Sequence, residues 1–371
     1  MSQTEFYTHN LTAYMSKDYE AAVNTVETGD DDMLRVLVDG NAPPLPELLT
    51  KEAGNGIGSG NEFDTGTNIL SDYFDVVRFG IGSELDSEIM GALWHQAQSG
   101  GLTNAPVTGA SGAHDHSFGY APDSSGFNVL TRTFVFDVGG IKYVYGGCGV
   151  DEYTVEWDGG EWPKAKAALI GTGWHAPLAN YPDLALPTLE EQIPFNYLFS
   201  HGATLNWTGA PWGGSYDAAA SGRFMAFSLT VKNNLRVAGH ERQPNDPVIT
   251  DADGYEGAVQ NRLRRGKREA TARVTLRLDN QTREFKAQKG KVICTNLNVA
   301  FPGPKIGATT ARYTWAAVIP KFRVMKVTPA EMDGEEVLHL DLKLYRDTVT
   351  GGLVTGRVRN NVASSILALP S

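Results

Sequence analysis

The stretch LTRTFVFDVGGIKYVYGGCGVDEYTVEWDGGEWPKAKAALI, residues 130–170, decides the fold class. Leu130, Arg132, Phe134, Phe136 and Val138 alternate with Thr131, Thr133, Val135 and Asp137, the two-residue period of a strand. Gly139-Gly140 is a two-residue hairpin signal, so Ile141-Lys-Tyr-Val-Tyr145 is expected to run back along that strand. The next strand is expected over 150–157, with Tyr153, Val155 and Trp157 on one face and Glu152, Thr154 and Glu156 on the other. Asp158-Gly159-Gly160 then reverses the chain, and 162–170 returns.

Working outward, further strands are expected over 224–232, 268–278, 316–327 and 336–345. Helical signals are few. Residues 84–98 place Leu85, Ile89, Leu93 and Ala97 on one face, and 12–26 form a weaker candidate. The pattern predicts a mainly β protein of antiparallel sandwiches or barrels with one or two short helices. Gly-rich stretches at 51–67, 99–112 and 204–222 read as loops. Loops longer than ~12–15 residues tend to be functional, as subunit contacts in an assembly or as a lid in an enzyme.

The two halves echo each other faintly. Residues 71–84 precede the hairpin 150–157/162–170, and 268–281 precede the hairpin 319–328/336–345, turned at Asp333-Gly334. A duplication would give an N-terminal arm over 1–42, a first β domain over 43–180 and a linker over 181–223. A second β domain over 224–350 and a C-terminal arm over 351–371 would follow.

The chain has 371 residues, 43 acidic against 32 basic, for a net charge of −11. Tight nucleic-acid binding calls for the opposite sign, so DNA passing over a surface fits better than DNA being held. Two cysteines, Cys148 and Cys294, make neither a disulfide scaffold nor a metal motif. The start, MSQTEF, lacks a secretory pattern, and no run of ~18 apolar residues predicts a membrane span. Synthesis in a cytoplasm and no membrane partner are the expectations.

Candidate chemistry is thin. Gly54, Gly56, Gly58 and Gly60 resemble a phosphate loop, but Pro-rich sequence precedes them and no helix start follows, so a contact loop is expected. His114 and His116 would share one face of a strand, as two metal ligands would, with no third at a telling spacing. Glu152, Glu156 and Glu161 are the acids from which a glycosidase pair could be drawn, and alternating acids more often mark a solvated face. No nucleophile elbow occurs, and no cofactor is expected. The strongest charge feature is the basic run Arg262, Arg264, Arg265, Lys267 and Arg268. Asp30, Asp31 and Asp32 offer a partner of opposite sign on a neighbouring copy, and such pairing sets register between subunits.

The order of these segments resembles the tail tube proteins of long, non-contractile-tailed phages. The resemblance rests on PELLTKEAGNGIGSG from Pro46, EIMGALWHQAQSG from Glu88, AHDHSFGYAP from Ala113 and YVYGGCGVDEYTVEWDGG from Tyr143. FSLTVKNNLR from Phe227, GKREATARVTLRL from Gly266 and IPKFRVMKVTP from Ile319 extend it over about 43–350. The resemblance implies a non-catalytic virion protein whose sheet closes with copies of itself into rings. These would stack into a DNA-conducting tube for genome ejection. It also implies other tail proteins as neighbours: the tape measure, the tail terminator and the distal tail protein. Two tandem domains would let trimers make a pseudo-sixfold ring, and one domain would require hexamers. The alternatives are another tail or baseplate component, or, from a different class, a carbohydrate-binding module or glycosidase displaying strand aromatics such as Trp162 and Trp174.

Overall fold

In a computed structural model, the residues described are 11–21, 23, 26, 33–39, 48–52, 69–74, 76–120, 129–138, 140–187, 196–208, 215–217, 224–241, 259–279, 293–347 and 352–363. The chain begins with strands β1 (Leu11–Ser16), β2 (Met33–Val36), β3 (Leu48–Glu52), β4 (Ile69–Phe74) and β5 (Val77–Glu84). Helix α1 (Ile89–Gln98) precedes β6 (Ser99–Pro106), β7 (His114–Tyr120), β8 (Arg132–Val138), β9 (Ile141–Asp158), β10 (Lys164–Gly171) and β11 (His175–Pro177). The second half contains β12 (Thr204–Thr208), β13 (Ser215–Asp217), β14 (Phe224–Lys232), β15 (Arg236–Glu241), β16 (Val259–Arg264) and β17 (Glu269–Arg277). It ends with β18 (Cys294–Lys305), β19 (Arg312–Met332), β20 (Glu335–Leu344) and β21 (Thr355–Asn360).

Two long strands organise the molecule. The 18-residue β9 pairs with β8 and β11 in its first part, then with β10 and β14. The 21-residue β19 pairs with β18 and β21 first, then with β20. One layer is therefore an antiparallel sheet in the order β5-β10-β9-β14-β17-β20-β19. Across the core lie β18, the first part of β19, β21, β7 and β6. Strands alternating a buried and an exposed side chain dictate this two-layer arrangement.

Helix α1 fills the space between the layers, and all ten of its residues are buried. Trp94 lies 5.1 Å from the Tyr153 ring and 5.6 Å from that of Trp315, measured between centroids. Within it, Gln96 Nε2 donates to the carbonyls of Leu130 and Cys148. The helix begins at Ile89 rather than at 84, because Leu85 and Asp86 bond outward to Pro163, Tyr197 and Leu198, while the Asp86 carboxylate accepts the N–H groups of Glu88 and Met90 at the helix start.

Four expectations need correction. Where a helix was expected over 12–26, residues 11–16 are β1, pairing with β2 and β8 and burying Ala13 and Met15. The Arg132 guanidinium takes the carbonyls of Ser16, Lys17 and Asp18, which a helix would need for its own ladder. The stretch 99–112 is not wholly a loop, since 99–106 is β6, paired with β7. Within 204–222, β12 and β13 form a strand pair, and β12 joins β18. The expected strands 141–145 and 150–157 are one continuous β9, with Gly146, Gly147 and Gly149 inside it. Strands β1, β2 and β21 also join these sheets.

Candidate subunit interfaces

The outward face of the seven-stranded sheet is polar. A row of side chains runs across it through direct cross-strand neighbours: Lys164, Glu156, Ser228, Arg273, Asp341 and Lys326. The charges are tied laterally. Lys232 Nζ lies 2.9 Å from Glu152, Arg273 Nε 2.6 Å from Asp341, and Arg277 3.1 Å from Glu335. On the inward face, Tyr153, Val155, Leu229, Val231, Val274, Leu340 and Leu342 belong to the main core. One sheet thus separates a dry side from a charged side.

At one end of this sheet the β9–β10 and β19–β20 turns stand on either side of a cleft of about 440 Å³. Asp158, Trp162, Phe227, Arg273, Met332 and His339 are among its lining residues. Trp162 is half-exposed and packs edge-on against Phe199. In the cleft Glu161 accepts from Lys164 at 2.7 Å, which lowers the Glu161 pKa, and Thr275 Oγ1 is 2.8 Å from His339 Nδ1. Of the glutamates weighed as a catalytic pair, Glu152 is held by Lys232 and Glu161 by Lys164.

The basic run lies at the other end, where β16 leads into β17. Gly266 is required there, because a Cβ would sit 2.5 Å from the Asn234 carbonyl oxygen. Its N–H donates to the carbonyls of Asn233 and Asn234, and the Asn234 side chain donates to the Lys267 carbonyl, so the loop is fastened to the end of β14. Arg264 and Lys267 are exposed. Arg268 instead turns inward, donating to Ala97 O at 3.0 Å and Gln98 Oε1 at 2.8 Å, where it meets the negative end of α1. Arg262 is on β16 opposite Ala238, and Arg265 follows that strand. Asp30, Asp31 and Asp32, and Gly54, Gly56, Gly58 and Gly60, lie outside the described residues.

His114 and His116 do share one strand, β7, but His116 is buried and its Nε2 is 2.9 Å from Asn360 Oδ1. Desolvation lowers its pKa, and among the described residues no group of three or more metal-ligating side chains surrounds it. Asp115 between them takes Arg357 and Arg359. Cys148 and Cys294 are buried free thiols whose pKa values burial raises. Trp174 is core, with 1% of its surface exposed, unlike Trp162. Sequence reading missed the N-terminal fastening: the buried Glu20 carboxylate accepts Thr131, Thr133 and the Gly147 N–H. Its only sequence signal was an acid between apolar residues.

Residues 80–341 match the family described as Phage tail tube protein. Comparison with curated proteins finds no match. Among solved structures, the complex of MrkH from K. pneumonia with c-di-GMP aligns at 10% identity over 72% of this chain and 90% of that one. Its TM-score of 0.17 lends it no weight.

Proposed function

Because the chain belongs to the phage tail tube protein family, a structural and not a catalytic family, we propose that it is the subunit of stacked rings around a channel through which the genome is ejected. The observation that supports this most is the sheet β5-β10-β9-β14-β17-β20-β19, with its core on one face and its paired charges on the other. In this reading the charged face lines the channel. DNA slides because cations such as Lys232 and Arg273 are engaged by acids on the next strand and do not offer phosphate an open row of positive charge.

Ring closure would use the later part of β19 as an open edge, whereas β5 is covered by residues 37–39, with Asp39 N–H donating to Gly80 O and Gly82 N–H to Leu37 O. Pro329 in that part of β19 removes a donor, which suits an edge and limits indiscriminate pairing. The tandem arrangement, with tube domains over 43–180 and 224–350, has support in the pairing. In the first half β5 pairs with the second strand of the hairpin β9–β10, and in the second β17 pairs with the second strand of β19–β20. Trimeric rings of pseudo-sixfold symmetry follow from it, with the tape measure, tail terminator and distal tail proteins as further neighbours in the virion tail.

Negative-stain electron microscopy of the concentrated protein, with light scattering on a sizing column, tests the proposal. Hollow tubes or three-lobed rings are expected. A monomer that persists at high concentration and is retained on polysaccharide would replace it with a carbohydrate-binding module.

A further inference from the structure

The cleft between the β9–β10 and β19–β20 turns carries more negative charge than its own cations engage. Its lining includes the carboxylates Glu156, Asp158, Glu161 and Glu331, against Lys164 and Arg273. Both cations are already paired: Lys164 Nζ lies 2.7 Å from Glu161, and Arg273 Nε 2.6 Å from Asp341. Among the described residues no cation pairs with Glu156, Asp158 or Glu331, and all three are exposed. Glu331 also stands directly opposite the exposed Glu336 across the β19–β20 hairpin. Like charges in that position cost stability until a cation joins them.

These acids stand on two walls. Glu156 and Asp158 belong to the end of β9, and Glu331 to the end of β19. The cleft they flank is also lined by Trp162, half of whose surface is exposed, and by the thioether of Met332. The two turns come close together, since a Cβ on Gly159 would lie 3.5 Å from Met332 Cε. Phe199 braces the Trp162 ring edge-on at 5.7 Å, and an exposed indole attracts cations to its face. Among the described residues, no three acids or histidines gather closely enough to hold a metal ion. Acids spread over two walls suit instead an organic cation with a charge at each end. The volume of about 440 Å³ falls in the range of small-molecule sites, roughly 300–1,000 Å³.

We propose that this cleft binds an aliphatic polyamine, a methylene chain with a protonated amine at each end. One ammonium sits beside Glu156 and Asp158, the other beside Glu331, and the methylenes lie along Trp162 and Met332. Acids on both walls call for two cations on one ligand, whereas a lysine side chain of a partner supplies one. The site lies within a single subunit and needs no second copy, so it stands or falls apart from ring assembly.

Isothermal titration calorimetry of the full chain with spermidine tests it, at about 0.05 M salt so that exposed charges are weakly screened. Saturable binding of one spermidine per chain is expected, with butylamine and Mg²⁺ each weaker by about tenfold or more, since neither reaches both walls. E156Q/D158N and Glu331→Gln should each weaken spermidine about fivefold, and Trp162→Ala about threefold or more. These positions are exposed, and Asp158→Asn keeps the acceptor for the Gly159 N–H, so thermal unfolding should match the unaltered chain. Glu269→Gln, an exposed acid at the far end of the sheet, should bind as the unaltered chain does. If Glu269→Gln weakens spermidine as much as Glu331→Gln, the chain merely gathers counterions to its net charge of −11 and the site is overturned. Butylamine binding as tightly as spermidine would replace the polyamine with a single ammonium, such as a partner's lysine. Absence of saturable binding in a preparation that forms tubes overturns the polyamine site and leaves the tube reading intact.

Discussion

The Arg132 guanidinium carbon lies 4.0 Å from the centre of the Tyr19 ring. The same guanidinium donates to the carbonyls of Ser16, Lys17 and Asp18, and Tyr19 Oη lies 2.8 Å from His95 Nδ1 on α1. The end of β1 is thereby fastened to β8 and to the central helix through one buried cation. Replacing it leaves three carbonyls without their donor, and hydrogen bonds to charged groups are worth more than neutral ones. Arg132→Met is expected to destabilise by about 3 kcal/mol and to release residues 11–20 first. Thermal unfolding together with hydrogen exchange in that segment reads both effects.

Gly356 on β21 faces the Phe118 and Trp94 rings so closely that any Cβ would overlap them. Overpacking a close-packed interior costs typically 1–3 kcal/mol and occasionally more. Gly356→Ala is therefore expected to cost at least about 3 kcal/mol. Gly101→Ala, where a Cβ meets nothing within 4 Å, should stay within about 0.5 kcal/mol. Denaturant midpoints for the pair separate packing from the general effect of losing glycine flexibility.

The contrast between Gly356 and Phe134 explains what was legible. The alternation around Phe134, the Gly139-Gly140 and Asp158-Gly159-Gly160 turns, and the Phe224 strand are local signals, and the hairpins followed from them. Segment 12–26 misled because its helical spacing was overridden by pairing with β8, a partner more than a hundred residues away. The glycines of 99–112 hid β6 because pairing with β7, not propensity, makes it a strand. The basic run was visible, but not that Arg268 turns inward while Arg264 faces Arg236. Register across non-adjacent strands is what the chain alone does not spell out.

Burial pushes Asp86 up to about 6 and Glu88 up to about 7. Both folded pKa values lie above the unfolded ones, so the folded state holds protons that the unfolded state has released. Stability is then highest below the unfolded values and falls as pH rises through 6 and 7. His95, lowered to about 4 by burial, acts in the opposite sense below its unfolded value near 6.5. His116 and His175 are lowered by burial too and act as His95 does up to about pH 7.5, so the contribution of Glu88 is a decline of about 1 kcal/mol from pH 6 to 8 superimposed on theirs. Glu88→Gln, which keeps an acceptor for Asn196 Nδ2, should flatten that slope. A slope unchanged in the variant would remove Glu88 from this role.

Thr154 sits in the second part of β9 on the charged face of the sheet, its hydroxyl 3.2 Å from that of Thr230. Ser117 lies exposed on β7, across the core in the other layer. A channel lined by the charged face would make Thr154→Cys react with a bulky maleimide in the free subunit and become protected in assembled tubes. Ser117→Cys should label at similar rates in both states if its layer faces outward. The native Cys148 and Cys294 are buried and supply little background. Protection is expected to exceed about tenfold in rate, since a reagent wider than the channel can enter only when subunits exchange. Protection of Ser117→Cys with continued labelling of Thr154→Cys would turn the subunit around, placing the β6–β7–β21 layer at the channel. Equal labelling of both in intact tubes would mean that neither layer lines it.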